Sequence, residues 1–193
     1  MRVGLVLDSV DETDLDRARQ ADQLGLWAVA VGGRPGTEAI RAARVAEVTE
    51  VVRIVVAVDV AAEHPFTIAE EISVLDNLAA GRVVVIARGN PEAKYRDLGT
   101  FRGALIGRTV NGVLVTPPPV QTAVPVWDAS GTRGSKDESI VARSIDELRR
   151  HGGQPVPGLV ELSGDLEVDR ATIDLWRDEG CTHLLVEWPG DVR

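Results

Sequence analysis

The sequence lacks most of the residues from which disulfides and metal sites are built. Cys181 is the only cysteine among 193 residues, which excludes an internal disulfide and a thiolate metal cage. The three histidines, His64, His151 and His183, do not stand at metal-ligand spacing, and no His-Glu-x-x-His motif is present. We therefore predict no metal centre.

Basic charge and long apolar runs are also scarce. Lysine and arginine together number 21 against 30 acidic residues, which gives a formal charge of −9 and no basic stripe. Such a surface repels nucleic acid and anionic membranes. The apolar runs are interrupted well short of the roughly 20 residues that a membrane span needs, and the first ten residues do not form a signal peptide. We expect a soluble, cytoplasmic protein, with residues 1–193 forming a single domain that binds neither nucleic acid nor membrane.

Several nucleotide and hydrolase motifs are missing as well. No Gly-x-Ser-x-Gly elbow occurs, so serine hydrolysis has no support. Neither Gly-x-x-x-x-Gly-Lys nor Gly-x-Gly-x-x-Gly follows any apolar segment, which argues against nucleotide hydrolysis and a dinucleotide Rossmann site.

What the sequence does contain is a repeated strand–helix unit. Short apolar segments begin at Val3, Trp27, Ile54 and Val83, and the intervals between them leave room for a helix each time. Strands that are apolar on both faces are typical of a parallel sheet covered by helices. Further strand candidates occur at 124–129, 158–162 and 182–187, which brings the count to about seven parallel strands.

This pattern predicts an α/β fold, a (β/α) TIM-like barrel that is incomplete or trimmed, since about 250 residues are usual for eight units. The missing unit should fall between the strands at 124–129 and 158–162. We expect a hairpin arm and a proline-rich segment over 108–120, and the gap should be covered by this arm or by a partner chain. The competing architecture is an open, doubly wound sheet.

Two features at the ends of strands indicate a phosphate site. Arg88, followed by Gly89, ends the fourth strand, where both barrels and open sheets bind ligands, and a guanidinium holds a phosphate by two hydrogen bonds. The loop containing Ser130, Gly131 and Thr132 lies between a strand and a polar helix, an arrangement that binds anions. Together they predict one phosphate cradle at the barrel mouth.

The segment 62–89 resembles the central segment of the bacterial luciferase-like flavin-dependent monooxygenases. It reads His-Pro at 64–65, Ala-Glu at 69–70, Leu-Asp-Asn-Leu at 75–78, then Gly-Arg and a strand that ends in Arg-Gly. The element Pro-Val-Gln-x-x-x-Pro-Val-Trp at 119–127 is also similar to that family. The resemblance implies a (β/α) barrel that binds FMN or, alternatively, the 8-hydroxy-5-deazaflavin coenzyme, and a small organic substrate.

The resemblance also implies site residues. Arg88 matches a phosphate-contacting arginine, and Asp59, Val60 and Ala87 would line the flavin ring. Val58–Val60 falls where the family often has a non-proline cis peptide. Substrate contacts would come from Gly32, Gly33 and Arg34, which stand where the family places a catalytic histidine, and His64 is the remaining catalytic candidate.

Three functions stay open at this point. The first is a flavin- or deazaflavin-dependent oxidoreductase or monooxygenase, and the second is a non-catalytic accessory flavin-binding protein. The third is an unrelated phosphate-binding barrel enzyme. We expect a homodimer, or a heterodimer with a full-length relative, because family barrels pair through the helices after the second and third strands.

Overall fold

The structure is a computed structural model that describes residues 1–32, 36–88, 91–129, 141–150 and 157–187. Its strands are β1 (Arg2–Leu7), β2 (Ala28–Val31), β3 (Arg53–Asp59), β4 (Val83–Arg88), β5 (Val126–Asp128), β6 (Pro157–Glu161) and β7 (His183–Glu187). Its helices are α1 (Glu12–Gln23), α2 (Glu38–Val48), α3 (Pro65–Leu78), α4 (Pro91–Leu105), α5 (Ile145–Arg150) and α6 (Leu166–Asp178). None of the helices in these ranges is long and apolar enough to cross a bilayer.

The strand order identifies the architecture. All seven strands pair in parallel in the order β5-β4-β3-β2-β1-β7-β6. This is the consecutive order of a (β/α) barrel, in which the last strands return to pair with the first. A doubly wound sheet instead reverses its strand order at a switch point. The predicted trimmed barrel is therefore confirmed, and the doubly wound alternative is wrong.

The sheet is strongly curled. Trp127 on β5 and His183 on β7 have ring centroids 5.5 Å apart, although five strand-to-strand steps separate them in the order of the sheet. A flat sheet would place them about 24 Å apart, at about 4.8 Å for each step. Aromatic contact across the interior therefore requires the sheet to close most of the way into a barrel.

The gap in the barrel lies where the sequence predicts it. Strands β5 and β6 are the two edges of the sheet; β5 lies within the predicted range 124–129, and β6 overlaps the predicted range 158–162 from residue 158 to residue 161. On the outer side of β6, Ala142 makes a single parallel bridge with Gly158. The Ala142 N–H donates to the Pro157 carbonyl at 2.8 Å, and Leu159 donates back at 2.9 Å. In the described part of the chain, one residue thus occupies the place of an eighth strand.

The segment that follows β4 differs from the prediction. The fifteen-residue helix α4 occupies Pro91–Leu105, where the sequence analysis predicts no helix. Its apolar positions are interrupted by charged residues and two glycines, which weakens the helical periodicity. The hairpin within the arm is present as a bridge between Val110 and Val113. The described contacts of the arm place it against α3 and α4, since Val110 lies beside Gly103 and Asn77 donates to the Pro118 carbonyl.

The core has an outer and an inner part, because alternate strand residues face opposite ways. On β3, Ile54, Val56 and Val58 pack under the helices, whereas Val55 and Ala57 face the barrel interior. The interior cluster gathers residues from many strands and from residue 141: Ala28, Ala30, Val55, Val84, Ile86, Trp127, Val141 and Leu185. The polar residues that follow these strands therefore converge on one mouth.

Candidate functional site

The carboxyl ends of the strands bring charged residues together at the barrel mouth. Asp8 follows β1, and five further charged residues end strands: Asp59, Arg88, Asp128, Glu161 and Glu187. In parallel (β/α) folds this end of the sheet is where ligands bind. Most of these side chains are acidic, and Arg88 is the cation among them.

Arg88 presents an unpaired donor at this mouth. It lies on the same face of β4 as Val84 and Ile86, which belong to the interior cluster. One terminal nitrogen donates to the Ala57 carbonyl at 3.4 Å, while Nε is buried and has no hydrogen-bond partner among the residues that the structure describes. A buried donor without a partner costs about 1–3 kcal/mol, and an anionic oxygen would remove that cost. The guanidinium therefore fits a bound phosphate.

The residues predicted to line a flavin ring occupy different faces. Asp59 is in register with Arg88, and its Oδ1 accepts from the Ala61 N–H at 2.9 Å. The side chains of Val60 and Ala87 are fully buried in the outer core beneath the helices. Only the backbone of Val60 and Ala87 could therefore line a ligand at the mouth.

The predicted cis peptide at Val58–Val60 is wrong. Among the described residues the one cis bond precedes Pro117, and β3 keeps regular pairing up to Asp59. The Val60 N–H continues this pattern by donating to the Arg88 carbonyl at 3.0 Å. The end of β3 is thus ordinary strand backbone.

His64, the catalytic candidate, caps the amino end of α3. Its side chain is exposed, and Nδ1 accepts from the Phe66 N–H at 3.4 Å. The imidazole also stacks on the Phe66 ring with centroids 5.4 Å apart. This gives His64 a structural role, and its catalytic role stays a prediction.

The other predicted contacts are divided between described and undescribed residues. Gly32 follows β2 directly and therefore lies at the mouth. Six predicted residues lie outside the described ranges: Gly33, Arg34, Gly89, Ser130, Gly131 and Thr132. The second half of the predicted phosphate cradle falls in this group.

Three carboxylates at the mouth, those of Asp8, Glu161 and Glu187, were not predicted from the sequence. Burial raises the pKa of Glu187. The negative charges of Asp8 and Glu161 and a hydrogen bond with Asp8 raise this pKa further. Their position could have identified them as it identified Arg88, since each lies at the carboxyl end of a strand. Within the described residues no group of three His, Cys, Asp or Glu side chains is placed to hold a metal ion.

An aromatic cluster fills the interior toward the amino ends of the strands. The rings of Trp27 and Trp127 stack with centroids 5.4 Å apart, and His183 lies 4.5 Å from Trp27. Burial lowers the pKa of His183, and the positive charges of Arg2 and the terminal amino group lower it further. The imidazole is therefore a neutral part of the core near pH 7.

We expect the stability of the fold to fall as the pH drops below 6.5. The unfolded chain takes up a proton on His183 near its ordinary pKa of 6.5, while the folded chain resists protonation until its lowered pKa is reached. The free energy of unfolding should decline between these two values by at most about 1.4 kcal/mol per pH unit, the limit for one proton. Urea unfolding at pH 7.5, 6.5 and 5.5 measures the decline.

His183→Gln is the matched variant for this experiment. The free energy of unfolding of the wild type, measured relative to that of the variant, should decrease as the pH falls over this window. This comparison cancels the opposite contribution of Glu187, whose raised pKa favours the folded state as the pH falls toward 4.5. Parallel pH profiles for the two proteins would show that His183 does not resist protonation.

Comparison with known proteins identifies the segment that carries the resemblance. The family model of luciferase-like monooxygenases matches residues 12–102, from the start of α1 into α4. The chain is similar to the luciferase-like monooxygenases over this segment. The match includes Arg88 and the residues that end β3. Comparison with curated proteins gives no match.

Solved structures with the luciferase-like fold cover nearly all of the chain. The coenzyme F420 dependent tetrahydromethanopterin reductase from Methanopyrus kandleri aligns with a TM-score of 0.69 at 10% identity, covering 98% of this chain and 94% of that one. The oxygenating constituent of 3,6-diketocamphane monooxygenase from Pseudomonas putida, solved in complex with FMN, aligns at 0.58 and 14% identity, covering 96% and 66%. These similarities support the fold.

A third solved structure shows how short this chain is. The monooxygenase RslO1 from Streptomyces bottropensis aligns with a TM-score of 0.56 at 18% identity over 93% of this chain. The aligned part makes up 65% of the Streptomyces protein. The chain therefore spans about two thirds of the length of that relative.

Much of the luciferase-like signature serves the fold and not the mouth. Asp76 is fully buried, and its carboxylate accepts from the Gln121 N–H at 3.0 Å and from the Gln121 side-chain amide at 2.8 Å. Arg82 donates to backbone carbonyls at the end of α2 and beyond, including those of Thr49 at 2.9 Å and Val52 at 2.9 Å. These residues fix α2, α3 and the start of β4, which leaves Arg88 as the signature residue at the ligand end.

Proposed function

We propose that this chain binds a flavin or deazaflavin coenzyme at the barrel mouth and acts as an oxidoreductase on a small organic substrate. The observation that carries the proposal is the buried, unpartnered Nε of Arg88 at the carboxyl end of β4. The match to the family model of luciferase-like monooxygenases supports the same coenzyme class, as do a neighbour that depends on coenzyme F420 and one that was solved in complex with FMN.

The residues of the mouth suit this role in distinct ways. A bound coenzyme of this class supplies hydride transfer or, for a flavin, oxygen chemistry. Arg88 would hold the coenzyme phosphate and so fix its position at the mouth. Asp59 and the backbone of Val60 and Ala87 would contact the ring system of the coenzyme. Glu187 shares a hydrogen bond with Asp8 and has a raised pKa, so the pair can hold a proton beside the ligand.

Removal of the Arg88 guanidinium is expected to abolish the preference for FMN over riboflavin that the phosphate provides. The wild type should bind FMN more tightly than riboflavin, which lacks the phosphate. Arg88→Gln should weaken FMN binding by about 10- to 100-fold, the loss of a charge-assisted hydrogen bond, while riboflavin binding changes little. Quenching of flavin fluorescence during titration measures both dissociation constants.

Arg19→Gln is the control, because Arg19 is an exposed arginine on α1 whose one ion pair within the described ranges is with Asp16, one helical turn away. It should bind FMN like the wild type. Equal FMN affinity in Arg88→Gln and in the wild type would contradict the phosphate role of Arg88. Titration with the deazaflavin coenzyme in the same series decides between the two coenzymes.

An accessory flavin-binding protein is the second candidate, and the open barrel favours it. Among the described residues the edges β5 and β6 do not pair with each other, and a barrel open on that side would surround a coenzyme at the mouth with less protein than a closed barrel. A carrier would bind coenzyme but consume no NADH or reduced deazaflavin. An oxygenating enzyme would consume it, and the peroxide released per reduced coenzyme would report how well the mouth excludes water.

Dimerisation also stays a proposal. The helices α2 and α3 expose apolar side chains, among them Ile40 and Leu78, while Ala42 and Ala46 are buried in the outer core of the same chain. We propose a homodimer, or a heterodimer with a full-length relative, through these helices. Sedimentation velocity at micromolar concentration tests it.

A further inference from the structure

A cavity of about 350 Å³ lies between the second half of α4 and the start of β5. Residues of α4 from Gly99 to Leu105 line one side of it, and Val124 and Val126 line the other. Helix α4 starts at the carboxyl end of β4 and runs back along the sheet, so its second half lies toward the amino ends of the strands, away from the mouth. Sites for small organic ligands measure about 300–1,000 Å³, and this cavity is large enough for one.

The cavity lies on the side where the barrel is incomplete. The Val85 N–H donates to the Pro125 carbonyl at 2.8 Å, so residue 125 directs its carbonyl toward β4. Successive residues of a strand direct their carbonyls to opposite sides, and the Val126 carbonyl therefore points to the free edge of β5. Arg102 donates to this carbonyl at 3.3 Å, which holds its guanidinium between α4 and the free edge.

The walls of the cavity are largely apolar. Leu105 and Val124 are buried members of the outer core, and Val126 packs against that core. Ile106, which follows α4, is 40% exposed beside them. Of the described helices, α3 is the one that packs extensively against α4, on the side away from the gap. A carbon skeleton in the cavity would therefore remove apolar protein surface from water.

Two arginines give this cavity a positive charge in a protein whose formal charge is −9. Arg102 is half-buried, whereas Arg108 is exposed and makes no ion pair within the described ranges. None of the described residues that line the cavity is acidic. The guanidinium group has a planar fork of donors that matches the two oxygens of a carboxylate.

We propose that this cavity binds a small organic carboxylate with an apolar body. The carboxylate would lie toward Arg102 and Arg108, and the body would pack against Leu105, Val124 and Val126. The site goes beyond the proposed function, because it shares no residue with the barrel mouth and lies toward the other end of the strands.

4-Phenylbutyrate and its neutral analogue 4-phenylbutanamide provide the direct test on the full chain. We expect 4-phenylbutyrate to raise Tm and to give a saturable heat in calorimetry, whereas 4-phenylbutanamide at the same concentration binds more weakly. Acetate, which has the carboxylate without the apolar body, should also bind more weakly. Absence of saturable 4-phenylbutyrate binding, or equal affinity for the amide, would overturn the proposal.

Substitution of the two arginines tests where the carboxylate lies. Arg108→Gln should weaken 4-phenylbutyrate binding by about 3- to 5-fold, as expected for an exposed ion pair. Arg102→Gln should weaken it by about 10-fold, because its guanidinium is half-buried. Arg170→Gln is the matched control, since it makes the same change in net charge on the exposed face of α6 and does not line the cavity. Equal weakening in Arg170→Gln and Arg108→Gln would reduce the effect to net charge and overturn the proposal.

Gly99 offers a steric test of the same site. A Cβ built on Gly99 meets no atom within 4 Å, so a side chain fits there without a clash. Gly99→Phe should fill part of the cavity and weaken 4-phenylbutyrate binding. Gly99→Ala is its control and should bind 4-phenylbutyrate like the wild type. Full affinity in Gly99→Phe would show that the ligand lies elsewhere.

Arg88→Gln distinguishes this cavity from the coenzyme site. It should bind 4-phenylbutyrate like the wild type. Loss of 4-phenylbutyrate binding in Arg88→Gln, with full binding in Arg108→Gln, would place the carboxylate at the mouth and overturn the proposal. The effect of Arg88→Gln on FMN affinity is measured separately, so either conclusion can fail without the other.

Discussion

Replacing Trp127 with alanine is expected to lower the free energy of unfolding by about 3–5 kcal/mol, the usual cost of removing a buried large aromatic side chain. Trp127 is only 8% exposed although β5 is a three-residue edge strand. Its ring spans the interior to Trp27 and His183. The loss should therefore loosen the curl of the sheet as well as leave a cavity, and urea unfolding measures the total.

Trp127→Phe is the control, because it keeps an aromatic ring that can still stack on Trp27. It should cost less than the alanine variant. Hydrogen exchange adds a local readout, since protection of β5 amides should fall further than protection of β2 amides in Trp127→Ala. A loss below about 1 kcal/mol in the alanine variant would show that the interior contact does not hold the curl.

Replacing Arg82 with alanine is expected to lower the free energy of unfolding by about 2–4 kcal/mol. The guanidinium makes five hydrogen bonds, to Ala79, Thr49 at its carbonyl and hydroxyl oxygens, Val52 and Ala46. Several of these are backbone carbonyls at the end of α2 or just after it, which have few other partners. In a domain of this size each kcal/mol lowers Tm by about 2–4 °C.

Arg82→Lys separates charge from geometry. Lysine keeps the positive charge but has a single ammonium, so it cannot serve the same set of acceptors. We expect an intermediate Tm, with Arg19→Ala on the exposed face of α1 close to the wild type. An unfolding free energy equal to that of the wild type in Arg82→Ala would contradict this prediction. It would mean that water molecules donate hydrogen bonds to the carbonyls at the end of α2 in place of Arg82.

The strands and their order could be predicted because each strand is a short apolar run separated by the length of a helix. Burial on both faces leaves little ambiguity about a parallel sheet. Helix α4 could not be predicted, since Gly99 and Gly103 and the charges around them hide its periodicity. The curl depends on Trp127, whose contact with His183 joins residues far apart in the sequence, and no local pattern reports it.

The site was predictable where a residue breaks a pattern. Arg88 ends an apolar strand with a charge, so it stood out, and the structure gives it the unpaired donor that such a position suggests. The buried Glu38 gave no signal in the sequence, because a glutamate in the first turn of a helix is common. Its burial comes from the packing of α3 against α2, and Glu63 and Glu71 lie beside it.

The pairing of β1 with β7 has a consequence for how the chain folds. Arg2 lies opposite His183, so the central contact of the sheet closes a loop of almost the whole chain. Such a contact forms late in folding, because closing a long loop costs much chain entropy. Chains dominated by contacts between distant residues therefore fold slowly. During synthesis, strands β1 to β5 can pair in sequence, while the free edge of β1 stays unpaired until β7 has left the ribosome. The barrel therefore completes its folding only after β7 has been synthesised.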